Sequence, residues 1–288
     1  MRLLRSELYR LRRRWMPWVI LLTIVVLAFA FYAIVYVSVQ AQLQAERAGT
    51  IPSQPGGLEA MEEALRALRP DQVQSLGVGL VSGLGSVMLI VFAASHVGTE
   101  YGWGTLRTLL AHGAGRGAIL ASKVTSLALF ALVFVVAGAL ASVAASFLIS
   151  AVAGYDLSGL DPGKVANAAG RGLYTVFPYM ALATMISLWA RSAGSGIAAG
   201  LVVYFAESIV AGLLVSLNRD YAPLVNYGLS RNVSAVTRQT VVSTGGDPAV
   251  AVSTLPDAGQ AAIVLAAYTA VFLAIAYWRL RTRDITLG

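Results

Sequence analysis

Six runs of about twenty apolar residues, each nearly free of charge, constrain this chain more than any other feature. A helix needs about that many apolar residues to cross a hydrocarbon core roughly 30 Å thick. The runs are 16–39, 76–97, 120–152, 172–190, 193–217 and 259–278. The first carries no charge. The second bears only His96 near its end, and the third has Lys123 near its start. The third is long enough to tilt or to extend past a bilayer. Pro178 is predicted to bend the fourth, and the fifth holds Glu207. Composition agrees: 57% of residues are hydrophobic before glycine is counted and 12% are charged, against about 25% charged in a soluble domain. A chain this apolar is neither a soluble globule nor disordered. The expected fold class is an all-α polytopic membrane protein with six transmembrane helices in one domain over 1–288. There is no cysteine, which excludes disulfides, thiolate metal sites and cysteine nucleophiles.

An even number of spans puts both termini on one side, and Lys and Arg identify it as the cytoplasm. The side holding the termini has 13 basic and three acidic residues, and the other has eight basic and eleven acidic, Glu207 included. The resulting charges, +10 and −3, account for the net +7. The basic balance therefore reflects topology and contact with anionic lipid rather than nucleic-acid binding. The first apolar run spans about 24 residues, too long for the 7–15 of a signal peptide, and reads as a true span in the cell membrane.

Residues 1–15 place Leu3, Leu4, Leu8, Leu11 and Trp15 at helical spacing among arginines. This predicts an amphipathic helix in the cytoplasmic interface. Outer loops are expected at about 40–75, 154–171 and 218–258. In the first, Pro52, Pro55 and Gly56-Gly57 break regularity. Leu58, Met61, Leu65 and Leu68 then predict a short helix ending before Pro70. In the third, Tyr221, Pro223, Leu224, Tyr227, Leu229 and Val233 predict short helices dipping back into the outer leaflet, which is allowed only where protein or water satisfies the backbone. Asn232-Val233-Ser234 is a glycosylation sequon that reads as a chance match.

The stretch after the second span reads Gly98-Thr99-Glu100-Tyr101-Gly102-Trp103-Gly104-Thr105-Leu106-Arg107-Thr108-Leu109-Leu110-Ala111. Thr99 is expected to cap a short helix, Glu100 to sit in its first turn, and Gly113 and Gly115 to end it. Such a helix, joined rigidly to two spans, is suited to passing a push from a soluble partner into the membrane.

Here the chain resembles the permease subunits of ABC-2 type exporters. Their pattern after the second span, Glu-Tyr/Phe-x-x-Gly-Thr-Leu-Arg/Lys-x-x-Leu, is met by Glu100-Tyr101, Gly104-Thr105-Leu106-Arg107 and Leu110. The basic N-terminal helix, six spans, minimal turn at Arg191-Ser192 and long last outer loop also match. A departure is His112-Gly113-Ala114-Gly115 where many relatives have a proline. The resemblance implies an ABC-2 exporter (ABCG-like) fold. The N-terminal helix would be an elbow, and the loop a coupling helix seated in a groove of an ATPase subunit. It also implies two permease chains, identical or paralogous, with two ATPase chains. Glu100, Tyr101, Gly104, Thr105, Leu106 and Arg107 then become candidate ATPase contacts or supports. This sequence has no Gly-x-x-x-x-Gly-Lys-Ser/Thr loop. ATP and Mg2+ would be bound by the partner, and this chain would be neither enzyme nor cofactor carrier.

Glu207 is the one acid well inside a span, where a functional role is the default. It is expected to bind a cationic substrate, pair with Arg171 or face a wet cavity; otherwise it hydrogen-bonds to Tyr204, Ser208 or a neighbouring helix. Tyr32 and Tyr36 are candidate pathway residues, with interfacial anchoring as the alternative. Gly79-x-x-x-Gly83 and Gly196-x-x-x-Gly200 predict close helix packing within the chain or at a dimer seam. His96 and His112 have no metal-ligand spacing; His96 is read as a hydrogen-bonding or capping group. The expected activity is export of an amphipathic drug, antimicrobial peptide or lipid. The alternatives are a proton-coupled secondary transporter working through Glu207, and a non-transporting sensor or immunity subunit.

Overall fold

The computed structural model describes residues 2–49, 57–111, 113–237 and 255–282. Pro52, Pro55, Gly56, His112, the stretch 238–254 with Arg238, and the terminal Arg283 and Asp284 lie outside the described residues, as do the side chains of Leu106 and Arg107. Among the described residues the structure is all-helical. The helices are α1 (Arg2–Arg13), α2 (Trp15–Arg47), α3 (Gly57–Arg66), α4 (Val73–Gly102), α5 (Thr105–Ala111), α6 (Arg116–Ala153), α7 (Pro162–Ala190), α8 (Ala193–Leu217), α9 (Ala222–Val225), α10 (Leu229–Thr237) and α11 (Ala258–Thr282), with single 3₁₀ turns before α4 and α9. Six of them, α2, α4, α6, α7, α8 and α11, are long and apolar enough to cross a membrane.

Each expected span is present, and most are longer than their apolar runs. The fourth differs most. It begins at Pro162, ten residues before the expected 172, and takes in most of the supposed second outer loop. Proline suits a first helical position because its missing N–H has no partner there anyway. Asp161 Oδ1 accepts from the backbone N–H groups of Gly163 and Lys164, at 2.9 and 3.1 Å, which caps the start. The helix runs through Pro178 without a break.

The chain divides into two compact units. One comprises Trp18–Gly85 and Leu132–Gly172. Its core joins Tyr32, Val39 and Leu43 of α2 to Leu65 of α3, Leu68 and Ala145 of α6, so the short helix expected around Leu58–Leu68 does form. Within this unit α4 and α6 cross closely. A Cβ at Gly77 would lie 2.5 Å from Ser142 Cβ, and one at Gly85 would lie 2.8 Å from the Phe134 ring. A Cβ at Gly83 would meet nothing. Gly77 and Gly85 are therefore packing glycines of this stretch, while Gly83 of the expected Gly79/Gly83 pair makes no such approach. Small-residue spacing marks a face able to pack but does not say which face is used.

The other unit comprises Met1–Pro17, Ser86–Ala131 and Leu173–Gly288. Here the second glycine pair does what was expected of it within one chain. A Cβ at Gly196 would overlap Ser187 Oγ and approach Ala94, and one at Gly200 would lie 2.6 Å from Ile90. These contacts hold α8 against α4 and α7. Short helices form after α8 as expected, and α10 packs on α8 and α11, so protein rather than lipid satisfies its backbone. Asn232 is fully buried, and its amide donates to the carbonyls of Asn226 and Gly228. It cannot accept a glycan in this fold.

Candidate functional site

The site lies in the second of these units, where α1, the end of α4 and the start of α6 meet. On α1, Leu4, Glu7 and Leu11 follow helical spacing and form the inward face, continued by Arg14 just after it, with Glu7 and Leu11 buried. The sequence had Leu3, Leu4, Leu8, Leu11 and Trp15 entering the membrane interface together. Instead Leu11 turns to the protein while Leu8 and Trp15 stay exposed.

Glu7 reaches two cations and a histidine. Its Oε1 lies 2.8 Å from Arg10 Nη2 and 3.4 Å from Lys123 Nζ, and its Oε2 lies 3.6 Å from His96 Nε2. Glu100, in the last turn of α4, shares the same cations: Arg10 Nη1 is 3.3 Å from Oε1, and Lys123 Nζ pairs with Oε2. Glu7, Glu100 and Lys123 are each at most 2% exposed. Two carboxylates and two cations cancel. That balance is what makes the burial tolerable, since one uncompensated ion costs several kcal/mol.

Hydrogen bonds orient the rest. Ser126 Oγ donates to the Lys123 carbonyl at 2.8 Å and lies 3.2 Å from His96 Nε2. A hydroxyl has one proton to give, so Nε2 carries the proton of the His96–Ser126 bond. The hydrogen-bonding role expected of His96 is the one it has. Phe92, one turn earlier on α4, stacks on Phe130 with ring centroids 3.9 Å apart. Arg14 lies over the Trp103 ring at 4.7 Å. Burial lowers the Arg14 pKa from its ordinary value while Glu100 opposes that shift; a guanidinium remains charged in either case.

The short helix does not start where expected. Thr99 caps nothing: its hydroxyl donates to the Ser95 carbonyl at 2.7 Å, as in a continuing helix. Thus α4 runs on to Gly102 and Glu100 belongs to its last turn. The break falls at Gly104, whose φ of +66° is left-handed, the conformation that ends many helices and favours glycine. Thr105 Oγ1 then meets the Glu100 carbonyl at 3.4 Å, and α5 occupies Thr105–Ala111. It ends as expected at Gly113, with φ +78° and two closing bonds, Gly113 N–H to Leu110 O and Ala114 N–H to Leu109 O. This is a Schellman closure. A seven-residue helix is therefore framed by two left-handed glycines.

The flanks are tied down. A Cβ at Gly98 would lie 2.3 Å from the Ala193 backbone nitrogen, so α4 and the α7–α8 turn touch backbone to backbone. Arg116, at the start of α6, donates to the Leu280 and Arg281 carbonyls at the end of α11, supplying partners that a helix C-terminus otherwise lacks. Arg279 lies 4.3 Å over the Trp189 ring.

Of the motif residues, Glu100 is thus buried and ion-paired. Tyr101 is half-buried, Gly104 is the break, Thr105 opens α5, and Leu106 and Arg107 lie within it. Glu7 was missed as a site residue and Lys123 noted only as a charge inside a span. An acid on the leucine face of an arginine-rich helix, and a lone lysine in an apolar run, were the signals. Tyr32 is fully buried in the core of the other unit and Tyr36 packs at its edge, so Tyr32 presents no surface to a substrate. Glu207 does not receive the Ser208 hydroxyl, which donates to the Tyr204 carbonyl. Its Oε1 instead accepts from the Ser230 N–H at 2.9 Å, at the first turn of α10. Among the described residues no group of three or more acids or histidines could hold a metal.

Six apolar helices, with a short helix between the second and third whose root is locked by buried ion pairs, define a multi-pass membrane protein. The family model of the ABC-2 family transporter protein matches residues 1–285, and the chain belongs to that family. It is a permease subunit of an ABC transporter, a transmembrane component rather than the catalytic one. A search of curated proteins finds no match.

Proposed function

We propose that this chain is the permease of an ATP-driven exporter in the cell membrane, working with a separate ATPase that binds ATP and Mg2+. Its termini and α5 lie in the cytoplasm, where positive charge concentrates. The working unit holds a second copy or a paralogue of this chain. The ATPase takes α5 in a groove, contacting Arg107 and Leu106, with Glu100, Tyr101, Gly104 and Thr105 as supports. One observation carries this reading: Glu100 at the root of α5 is ion-paired to Lys123 and Arg10 in the buried cluster with Glu7. A push on α5 then reaches α1, α4 and α6 together instead of dissipating in a loose loop. The cargo is an amphipathic drug, peptide or lipid. The capping role of Glu207 weighs against a proton-driven carrier centred on that residue, since its oxygen is already engaged.

The test is mild-detergent isolation of the tagged chain from its host membranes with mass spectrometry of co-purifying proteins. A near-stoichiometric Walker-type ATPase is expected, and Arg107→Glu with Leu106→Asp should release it. A preparation without any ATPase would overturn the reading.

A further inference from the structure

The buried cluster has a second effect: it strips one end of its unit of surface acid. That end gathers α1, the ends of α4, α7 and α11 and the starts of α6 and α8, tied together by the contacts at Glu7, Gly98, Arg116 and Arg279. Among the described residues its acids are Glu7 and Glu100, and both are 1% exposed. Its arginines are not hidden to match. On α1, Arg5, Tyr9, Arg12 and Arg13 fall at helical spacing on the face opposite Glu7 and Leu11, and all four are exposed. In the other unit, exposed Arg66 is 3.6 Å from Glu62, and exposed Lys164 is 3.8 Å from Asp161.

The cationic face runs straight into apolar surface. Trp15, at the start of α2, is 85% exposed. Trp103 is also exposed, under the Arg14 guanidinium. Guanidinium next to indole follows the order of phosphate and glycerol at a bilayer interface.

The geometry points to this face as a binding surface for anionic phospholipid headgroups, with Arg5, Arg12 and Arg13 engaging phosphates and Trp15 and Trp103 lying in the ester region. The proposal rests on the reading of the chain as a membrane permease but needs no ATPase. The occupant is a lipid rather than an acidic protein because exposed Trp15 and Trp103 continue the patch.

The test reconstitutes the full chain in phosphatidylcholine and phosphatidylglycerol bilayers at about 3:1. Spin-labelled forms of each lipid then report the motionally restricted fraction. The wild-type chain is expected to prefer phosphatidylglycerol by about threefold or more at low salt, the preference shrinking as salt screens it. Combined Arg5→Gln, Arg12→Gln and Arg13→Gln should bring the ratio close to that for phosphatidylcholine, while Arg66→Gln with Lys164→Gln should leave it unchanged. Circular dichroism establishes that the variants fold; if the triple variant does not, the wild-type preference and its salt dependence decide alone. Equal restriction of the two lipids by the wild-type chain overturns the proposal. So does a preference that survives in the folded triple variant. Loss of a co-purifying ATPase in that variant, with lipid preference intact, would assign the face to the ATPase instead.

Discussion

Lys123, in the second turn of α6, pairs with Glu100, in the last turn of α4, with both side chains shut off from solvent. The short helix α5 and the turn after it connect these two residues, so the pair closes the base of the loop that α5 occupies. Glu7 and Arg10 complete the cluster from α1.

The energetics of that closure are testable. Lys123→Met leaves two buried carboxylates facing one arginine, and loss of one partner from a buried pair typically costs about 3–5 kcal/mol. Glu100→Gln removes the other partner and should also destabilise. The double variant leaves Glu7 and Arg10 as a neutral pair, so its loss should be well below the sum of the two single losses. Thermal unfolding of the four proteins in one detergent gives the coupling. Additive losses would mean the pair does not act as a unit.

Backbone contact at Gly98 gives a sharper contrast. A methyl there would strike the backbone of Ser192 and Ala193, which has no rotamer with which to yield. Gly98→Ala should therefore sharply lower the yield of folded protein on size-exclusion chromatography. Gly83→Ala, where a Cβ meets nothing, should elute as the parent does. Equal behaviour of the two would mean that α4 does not cross the α7–α8 turn so closely.

The six spans were legible because hydrophobic run length reports a local requirement, the thickness of hydrocarbon to be crossed. Span ends were less legible. Residues 162–171 are helical through a proline start and an aspartate cap, although their composition reads as loop. The site was legible only in part. The pattern from Glu100 to Leu110 marks the right connection, but pairing Glu7 with Lys123, 116 positions apart, is a property of the fold. The role of Thr99 failed for a related reason. A threonine that caps and one that bonds back to the preceding turn have the same sequence signature, and the glycine at 104 decides where the helix stops.

The two left-handed glycines around α5 should resist substitution for conformational reasons alone. Cβ atoms at Gly104 and Gly113 would meet no neighbour, so any effect of alanine is backbone strain, about 1 kcal/mol per site. Gly104→Ala and Gly113→Ala should each lower the melting temperature by a few degrees. Gly104→Asn, which tolerates the left-handed region better, should recover part of the loss. No recovery with asparagine would point away from φ as the cause.

Glu207 offers a separation of charge from hydrogen bonding. Its oxygen caps the first turn of α10, and Gly228 is small because a Cβ there would lie 2.5 Å from that oxygen. Glutamine keeps an acceptor and glutamate's length. Glu207→Gln should therefore leave α10 in place, with amide exchange over 229–237 close to that of the parent. Glu207→Leu removes the acceptor and should speed exchange there by about fivefold, the effect of losing a cap worth roughly 1 kcal/mol. If Gln and Leu accelerate exchange equally, the negative charge at the helix start matters more than the acceptor. If neither does, packing against α8 and α11 holds α10 without the cap.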